Sequence, residues 1–180
     1  MIWLEVLGAL LLAFVIFLLW GYLRQQTGSD KYDRIVANRK IGIDEIGIAV
    51  SCFCHDGKGK YLLEKRSANA RDEQGRWNPG GGTVEFGETI EDAIRRELKE
   101  EYCVDVLGHE FLGYRDVHRE INGRKSHWIL LDFKVLIDPA QAKIGEPDVI
   151  DELRWVTIDD IPTPMHSFFP AYLEKYKGKL

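Results

Sequence analysis

Three closely spaced glutamates are the feature that most restricts how this chain folds. Glu97, Glu100 and Glu101 stand at positions i, i+3 and i+4, so a helix would place their carboxylates on one face within one turn. Like charges at these spacings repel, and the adjacent Arg96 offsets only part of that repulsion. A divalent cation would convert the repulsion into attraction, and hard carboxylate oxygens favour Mg²⁺ or Mn²⁺ over zinc. The run therefore predicts a metal site on a helix.

A glycine-rich loop precedes this helix. Pro79 is followed by glycines at 80, 81 and 82, which allow the backbone to approach a ligand closely, and a loop carbonyl there would complete the metal shell. The helix is predicted to begin at Thr89, an N-cap residue with Asp92 three positions on in an imperfect capping box, and to end at Tyr102. Its apolar stripe consists of Ile90, Ala93, Ile94 and Leu98.

The stretch from Gly82 to Val104 resembles the Nudix box. That pattern is glycine, five residues, glutamate, seven residues, and then Arg-Glu-apolar-any-Glu-Glu-any-Gly-apolar; six of its seven fixed residues match. The departure is Cys103, which stands where the pattern has glycine. Such a glycine serves a C-terminal turn with positive φ, so we expect the chain to leave the helix with a different geometry here. The likeness covers about residues 41–160.

The resemblance implies a mixed β-sheet between helices and the hydrolysis of a diphosphate bond in a nucleoside diphosphate derivative, either a nucleotide or a nucleotide-sugar. Carried over by position, it implies that Mg²⁺ or Mn²⁺ is held by Glu97, Glu100, Glu101 and the Gly81 carbonyl. Glu100 and Glu101 would also serve in catalysis, with Glu100 preferred as the base, and Arg96 would orient Glu97 and the loop. A homodimer is common among similar proteins.

Substrate contacts are assigned more loosely. Gly82, Glu88 and Trp77 are expected to touch the substrate, with Glu88 also acting as a supporting acid that pairs with Arg96. A later acid, Glu146 or Glu152, is an alternative base. Aromatic and histidine side chains offered as pocket walls are Trp77, Tyr114, His127, Trp128 and His166. His118 and His127 show no metal-ligand spacing with any other residue.

Two other functions stay open. A Nudix-fold module that binds or senses a nucleotide without hydrolysing it is compatible with Cys103 and with the unassigned base. An isomerase acting on prenyl diphosphates is disfavoured, because its catalytic cysteine motif is not found. The net charge of −5 argues against a partner that is a nucleic acid polymer.

The N-terminal residues 1–23 are predicted to be a membrane anchor. Val6 to Leu23 is an uncharged run of 18 residues, which as a helix spans about 27 Å, close to one hydrocarbon core. The following linker, residues 24–40, carries five basic residues against two acids, which places the domain at 41–180 on the cytoplasmic side. The alternatives are a signal peptide or an early translation start, the latter giving a cytoplasmic protein.

The remaining pattern predicts a layered α/β or α+β domain. The three cysteines form no disulfide framework, and Cys52 and Cys54 are expected to be buried thiols in a reducing compartment. Strands are predicted at 46–53, 61–66, 104–113, 128–136 and 153–156, with a short C-terminal helix at 168–176.

Overall fold

The computed structural model describes residues 15–19, 39–121 and 123–180. Residues 15–19 are helical and exposed; the rest of the predicted anchor and most of the predicted linker lie outside the described residues. Among the residues that are described, no helix has the length and apolar character needed to cross a membrane. The chain divides between Glu45 and Ile46, and the compact unit that carries the sheet runs from Ile46 to Leu180.

A six-stranded mixed sheet forms the centre of this unit. Its strands are β1 (Gly47–His55), β2 (Tyr61–Arg66), β3 (Trp77–Asn78), β4 (Val106–Ile121), β5 (Arg124–Ile137) and β6 (Ile150–Val156). Their order is β3-β2-β1-β5-β4, and β6 pairs with β2. β1 and β5 run parallel, while the other pairs are antiparallel. The predicted mixed sheet is therefore confirmed.

Helices cover both faces of the sheet. On one face, α1 (Ile90–Tyr102) buries its apolar stripe against Cys52 and Cys54 of β1 and Leu62 of β2. On the other face, α2 (Phe169–Lys175) packs against the residues that alternate with these, such as Phe53 and Leu63. Alternation of side chains along each strand supplies apolar groups to both layers, so the expected sandwich of a sheet between helices is observed.

Helix α1 begins as the sequence predicts. Thr89 Oγ1 accepts a hydrogen bond from the Asp92 amide (3.1 Å) and donates one to Asp92 Oδ2 (2.6 Å), which satisfies one of the free amides of the first turn.

The end of α1 differs from the prediction. Cys103 was expected to change the exit geometry, yet it adopts the left-handed conformation (φ 59°, ψ 21°) that a glycine would take. Its amide caps the helix by donating to the Lys99 carbonyl (3.1 Å). The left-handed conformation costs a cysteine more than a glycine, but the unbranched β-carbon of cysteine still permits it. The turn is therefore kept, with more strain than a glycine would have.

The β4–β5 hairpin is longer than predicted. Strand β4 continues from Gly113 to Ile121, and β5 begins at Arg124 rather than Trp128. This extension is rich in charged residues and histidines, so it lacks the apolar alternation by which strands are recognised. It is held by cross-strand pairing with its partner, including His118 opposite His127.

Candidate functional site

The glycine loop runs along β1 as an added, irregular strand. The Cys52 amide donates to the Gly80 carbonyl and the Val50 amide to the Gly82 carbonyl, both at 2.8 Å. Gly81, between them, has φ 124°, and a β-carbon there would lie 2.2 Å from the Val50 carbonyl oxygen. Only glycine fits this position. Among the described residues, the Gly81 carbonyl has no hydrogen-bond donor and is thus free to bind a ligand.

Two of the predicted metal ligands lie directly against this loop. The Gly81 amide donates to Glu101 Oε2 over 2.8 Å. A β-carbon on Gly82 would lie 2.2 Å from Glu97 Oε1, so the Glu97 carboxylate occupies the space that a side chain at 82 would need. The structure thus brings Gly81, Glu97 and Glu101 together, and their role as metal ligands stays a prediction.

Arg96 connects the loop, the helix and the acids. Its guanidinium donates to both oxygens of Glu88 (2.8 and 3.0 Å), to the Thr83 carbonyl (2.9 Å) and to Glu97 Oε1 (2.9 Å). A planar group with a fixed fork of donors is suited to such bridging. Glu88 also accepts a hydrogen bond from the Glu85 amide (3.0 Å). Both oxygens of Glu88 therefore bind Arg96, and Glu88 supports the loop and the helix.

Glu100 stands at the open side of the acidic group. Its side chain is 51% exposed, and its Oε2 accepts from Arg96 Nη1 over 3.2 Å. Of the two later acids, Glu146 is close enough for its charge to raise the pKa of Glu97 and Glu101. Glu152 instead pairs with Arg154 at 2.6 Å.

The site concentrates buried negative charge. Burial raises the pKa of Glu97, although the adjacent Arg96 opposes the rise. Burial also raises the pKa of Glu101 well above its ordinary value, and the nearby Glu64 raises it further. Glu64 is 3% exposed, and its own pKa is raised to about 7 by burial. Buried carboxylates with raised pKa values cluster at functional sites more often than elsewhere in a protein.

A cavity of about 160 Å³ opens beside the glycine loop. Its volume is several times the roughly 30 Å³ that one water molecule occupies in the liquid. The glycine loop and Thr83 form one wall, and Asn78 and the aromatic side chain of Trp128 line other parts of it. His166, which is buried, also lines it. None of the glutamates of the box is among the residues that line it, but Glu97 and Glu101 lie against the loop that forms one of its walls.

Three of the residues predicted to form pocket walls lie elsewhere. Trp77 is 3% exposed and belongs to the core beside α2, because strand alternation turns it to the face opposite its neighbour Asn78. Tyr114 is exposed and lies near Lys175 (5.7 Å from the ring centre to Nζ). His127 is half-buried and does not line the cavity. Of the five proposed wall residues, only Trp128 and His166 line it.

Sequence reasoning missed the charged lining of the cavity. Arg66 and Arg119 both bind Asp72, with N–O distances of 2.9 and 2.8 Å. Arg115 forms two hydrogen bonds of 2.8 Å to the fully buried Asp132. The pairing of β4 with β5 brings Arg115 to Asp132, and Arg66, Asp72 and Arg119 share no sequence motif. Asn78 was detectable, since it alternates with the apolar Trp77.

Comparison with known proteins agrees with this geometry. Residues 45–176 match the model of the NUDIX domain. The chain is 42% identical over 130 residues to an oxidized purine nucleoside triphosphate hydrolase of Danio rerio, covering 65% of this chain and 74% of that protein. It is 31% identical over 119 residues to the nucleoside triphosphatase NudI of Escherichia coli, covering 62% and 83%.

A solved structure shares the fold. The MutT NUDIX hydrolase from Burkholderia pseudomallei superposes with a TM-score of 0.65 at 27% identity, over 73% of this chain and 98% of that one. The family match covers the sheet, α1 and the glycine loop together. This chain belongs to the Nudix family and is a Nudix hydrolase.

Proposed function

We propose that this enzyme uses Mg²⁺ or Mn²⁺ to hydrolyse a diphosphate bond in a nucleoside phosphate. The observation that carries the proposal is the convergence of the Gly81 carbonyl with Glu97 and Glu101 on a loop that also forms the wall of a cavity. One end of a substrate would lie in the cavity while its phosphates reach the acids.

The residues present fit a hard divalent cation. The Gly81 carbonyl has no donor among the described residues, and Glu64 Oε2, near Glu101, is buried without a hydrogen-bond partner there. Carboxylate and carbonyl oxygens are the ligands that Mg²⁺ and Mn²⁺ prefer. A cation held by Gly81, Glu97 and Glu101, with Glu100 at its open side, would stabilise the charged carboxylates against the burial and the additional repulsion that raise the pKa of Glu97 and Glu101.

When bound, the ion neutralises diphosphate charge and lowers the pKa of a water molecule. The side chains of this chain perform the remaining work. Arg96 fixes the Glu97 carboxylate and the loop backbone in one geometry. Glu100, which is exposed and accepts a hydrogen bond from Arg96, would accept the proton of the attacking water. Glu146 is the alternative acceptor.

The cavity favours a nucleoside as the remote part of the substrate. Trp128 offers an aromatic face, and Asn78 offers an amide that both donates and accepts hydrogen bonds. Relatives named for oxidized purine nucleoside triphosphates and for nucleoside triphosphates support the same class. We therefore place nucleoside triphosphates first in the substrate class, and nucleotide-sugars second.

A substrate panel tests the proposal. The full chain is incubated with Mg²⁺ and with normal and oxidized nucleoside triphosphates or nucleoside diphosphate sugars, and products are separated by ion-exchange chromatography. We expect turnover of at least one nucleoside triphosphate, abolished by EDTA and by Glu101→Gln.

Glu91→Gln is the matched control. Glu91 lies on the exposed side of α1, where it pairs with Arg95 at 2.7 Å, so this change should leave turnover intact. Ligand-induced thermal stabilisation with no product for any substrate would instead favour the non-hydrolytic binding module. That alternative has lost one of its supports, because Cys103 adopts the left-handed turn that a glycine would form.

Attachment to a membrane through residues 1–23, with the enzyme facing the cytoplasm, stays a prediction, as does the homodimer. Fractionation of cells that express the full chain tests the first. Recovery wholly in the soluble fraction would contradict it and favour the cytoplasmic alternative.

A further inference from the structure

A second group of metal-binding side chains lies on the β4–β5 hairpin. Asp116 and His118 are two residues apart on β4, and His127 stands directly opposite His118 on β5. Side chains two apart on a strand share a face, and directly opposed residues share it too. One donor atom from each of the three lies within 4.8 Å of the others.

The group is separate from the acidic site. The residues that alternate with it, Val117 and Trp128, line the cavity beside the glycine loop, while Asp116, His118 and His127 do not. Strand alternation therefore directs the three donors to the other side of the hairpin.

An ordinary ion pair explains only part of this arrangement. His127 Nε2 lies 3.5 Å from Asp116 Oδ1, which one protonated imidazole and one carboxylate would account for. This ion pair does not account for the position of His118. The ring centres of His118 and His127 lie 4.1 Å apart, and the angle between the ring planes is 31°. Two opposed histidines would repel each other if both were protonated, whereas two neutral imidazoles offer two lone pairs to one cation.

We propose that Asp116, His118 and His127 form a binding site for Zn²⁺. Two imidazole nitrogens and one carboxylate oxygen suit this ion and not Mg²⁺. Ligand bonds of about 2.1 Å in a tetrahedral shell place the donors about 3.4 Å apart, so the side chains must close by roughly 1 Å. Asp116 and His118 are exposed and His127 is half-buried, which leaves room for that adjustment. The fourth position stays open to water or another ligand.

Zinc titration of the full chain tests this proposal. Calorimetry is performed with millimolar Mg²⁺ present, so that the acidic site is occupied by the ion it prefers. We expect one equivalent of Zn²⁺ to bind, and His118→Asn or Asp116→Asn to weaken it at least about tenfold, since loss even of outer partners costs 10–100-fold. Thermal unfolding of each variant checks that it is folded.

His109→Asn is the matched control, because His109 is an exposed histidine on the same strand. This variant and Glu97→Gln should bind Zn²⁺ as the unmodified protein does. The proposal is overturned if Zn²⁺ does not bind, if His118→Asn leaves the affinity unchanged, or if Glu97→Gln abolishes binding. His118→Asn should retain nucleotide hydrolysis, so the outcome is independent of the proposed function.

Discussion

The amide of Gly81 donates a hydrogen bond to the carboxylate of Glu101 across 2.8 Å. This contact joins the glycine loop to helix α1 at the point where the predicted metal ligands meet. It commits the amide of Gly81 to the protein and leaves the carbonyl of the same residue without a donor among the described residues. The loop and the helix therefore present their oxygens as one unit.

Glu101→Gln should separate activity from stability. Loss of a carboxylate ligand is expected to reduce kcat by at least about a hundredfold, beyond what loss of an outer partner costs. The metal-free variant should be no less stable than the unmodified protein at pH 8. Burial disfavours the charged form of Glu101 and so raises its pKa, whereas a neutral amide carries no charge to bury. Hydrolysis rates and thermal unfolding in EDTA measure the two effects. A large fall in Tm alongside the lost activity would contradict this prediction.

Saturating Mg²⁺ should stabilise the unmodified protein but not Glu101→Gln. A ligand present at a hundred times its Kd adds about 2.7 kcal/mol to the free energy of unfolding. Thermal scans with and without Mg²⁺ measure the shift in Tm, and Glu91→Gln should respond as the unmodified protein does. An equal shift in Glu101→Gln would show that Mg²⁺ binds elsewhere.

Arg96→Lys should lower kcat by roughly 10–100-fold, the range seen when residues that orient metal ligands are lost. A lysine keeps the charge but cannot contact both Glu88 oxygens, the Thr83 carbonyl and Glu97 together, as the guanidinium does. The measurement is kcat and KM at saturating Mg²⁺. Arg95→Lys on the exposed side of α1 is the control, and equal rates for the two variants would refute a positioning role for Arg96.

Glu64 should make the metal-free protein less stable as pH rises. Burial raises the pKa of its carboxyl from 4.5 to about 7, so the folded state prefers the protonated form. That contribution is fully present below about pH 4.5 and is lost as pH rises through 7, by about 3 kcal/mol in all. Glu64→Gln should therefore gain stability relative to the unmodified protein between pH 5 and 8.

Urea unfolding at several pH values in EDTA measures this difference. The exposed Glu110→Gln on β4 is the control, whose stability should follow that of the unmodified protein. A constant difference between Glu64→Gln and the unmodified protein at every pH would contradict the assignment.

Cys103→Gly should raise the free energy of unfolding by about 1 kcal/mol. A non-glycine residue pays roughly this amount in the left-handed conformation, which Cys103 adopts with φ 59°. Cys103→Ala keeps a β-carbon and should give no such gain. Urea unfolding of the three proteins tests the prediction, which fails if alanine stabilises as much as glycine.

The spacing of apolar residues predicted those strands and helices in which apolar and polar residues follow a regular period. Strand β2 and helix α1 were predicted within one residue of their bounds, because burial on defined faces imposes a period. The acids of α1 and the glycine loop were found through a motif whose spacing reflects one helix face. Cys103 was misjudged, since residue type alone does not determine backbone conformation.

Long-range geometry was not accessible in this way. The pairing of Arg115 with Asp132 and the grouping of His118 with His127 depend on the register of β4 with β5. Arg115, His118 and His127 lie in the polar extension of this hairpin, where no apolar period marked a strand. The aromatic side chain of Trp77 was expected to line the pocket. The alternation of side chains along β3 instead directs it into the core.

The parallel pairing of β1 with β5 also determines when the site can be assembled. Gly47 pairs with Trp128, and this register continues to His55 opposite Leu136. The glycine loop lies against β1, and helix α1 packs on it. During synthesis, every ligand of the box leaves the ribosome before β5 does. Because contacts so distant in sequence form slowly, the acids stay without their supporting sheet until the second half of the chain has arrived.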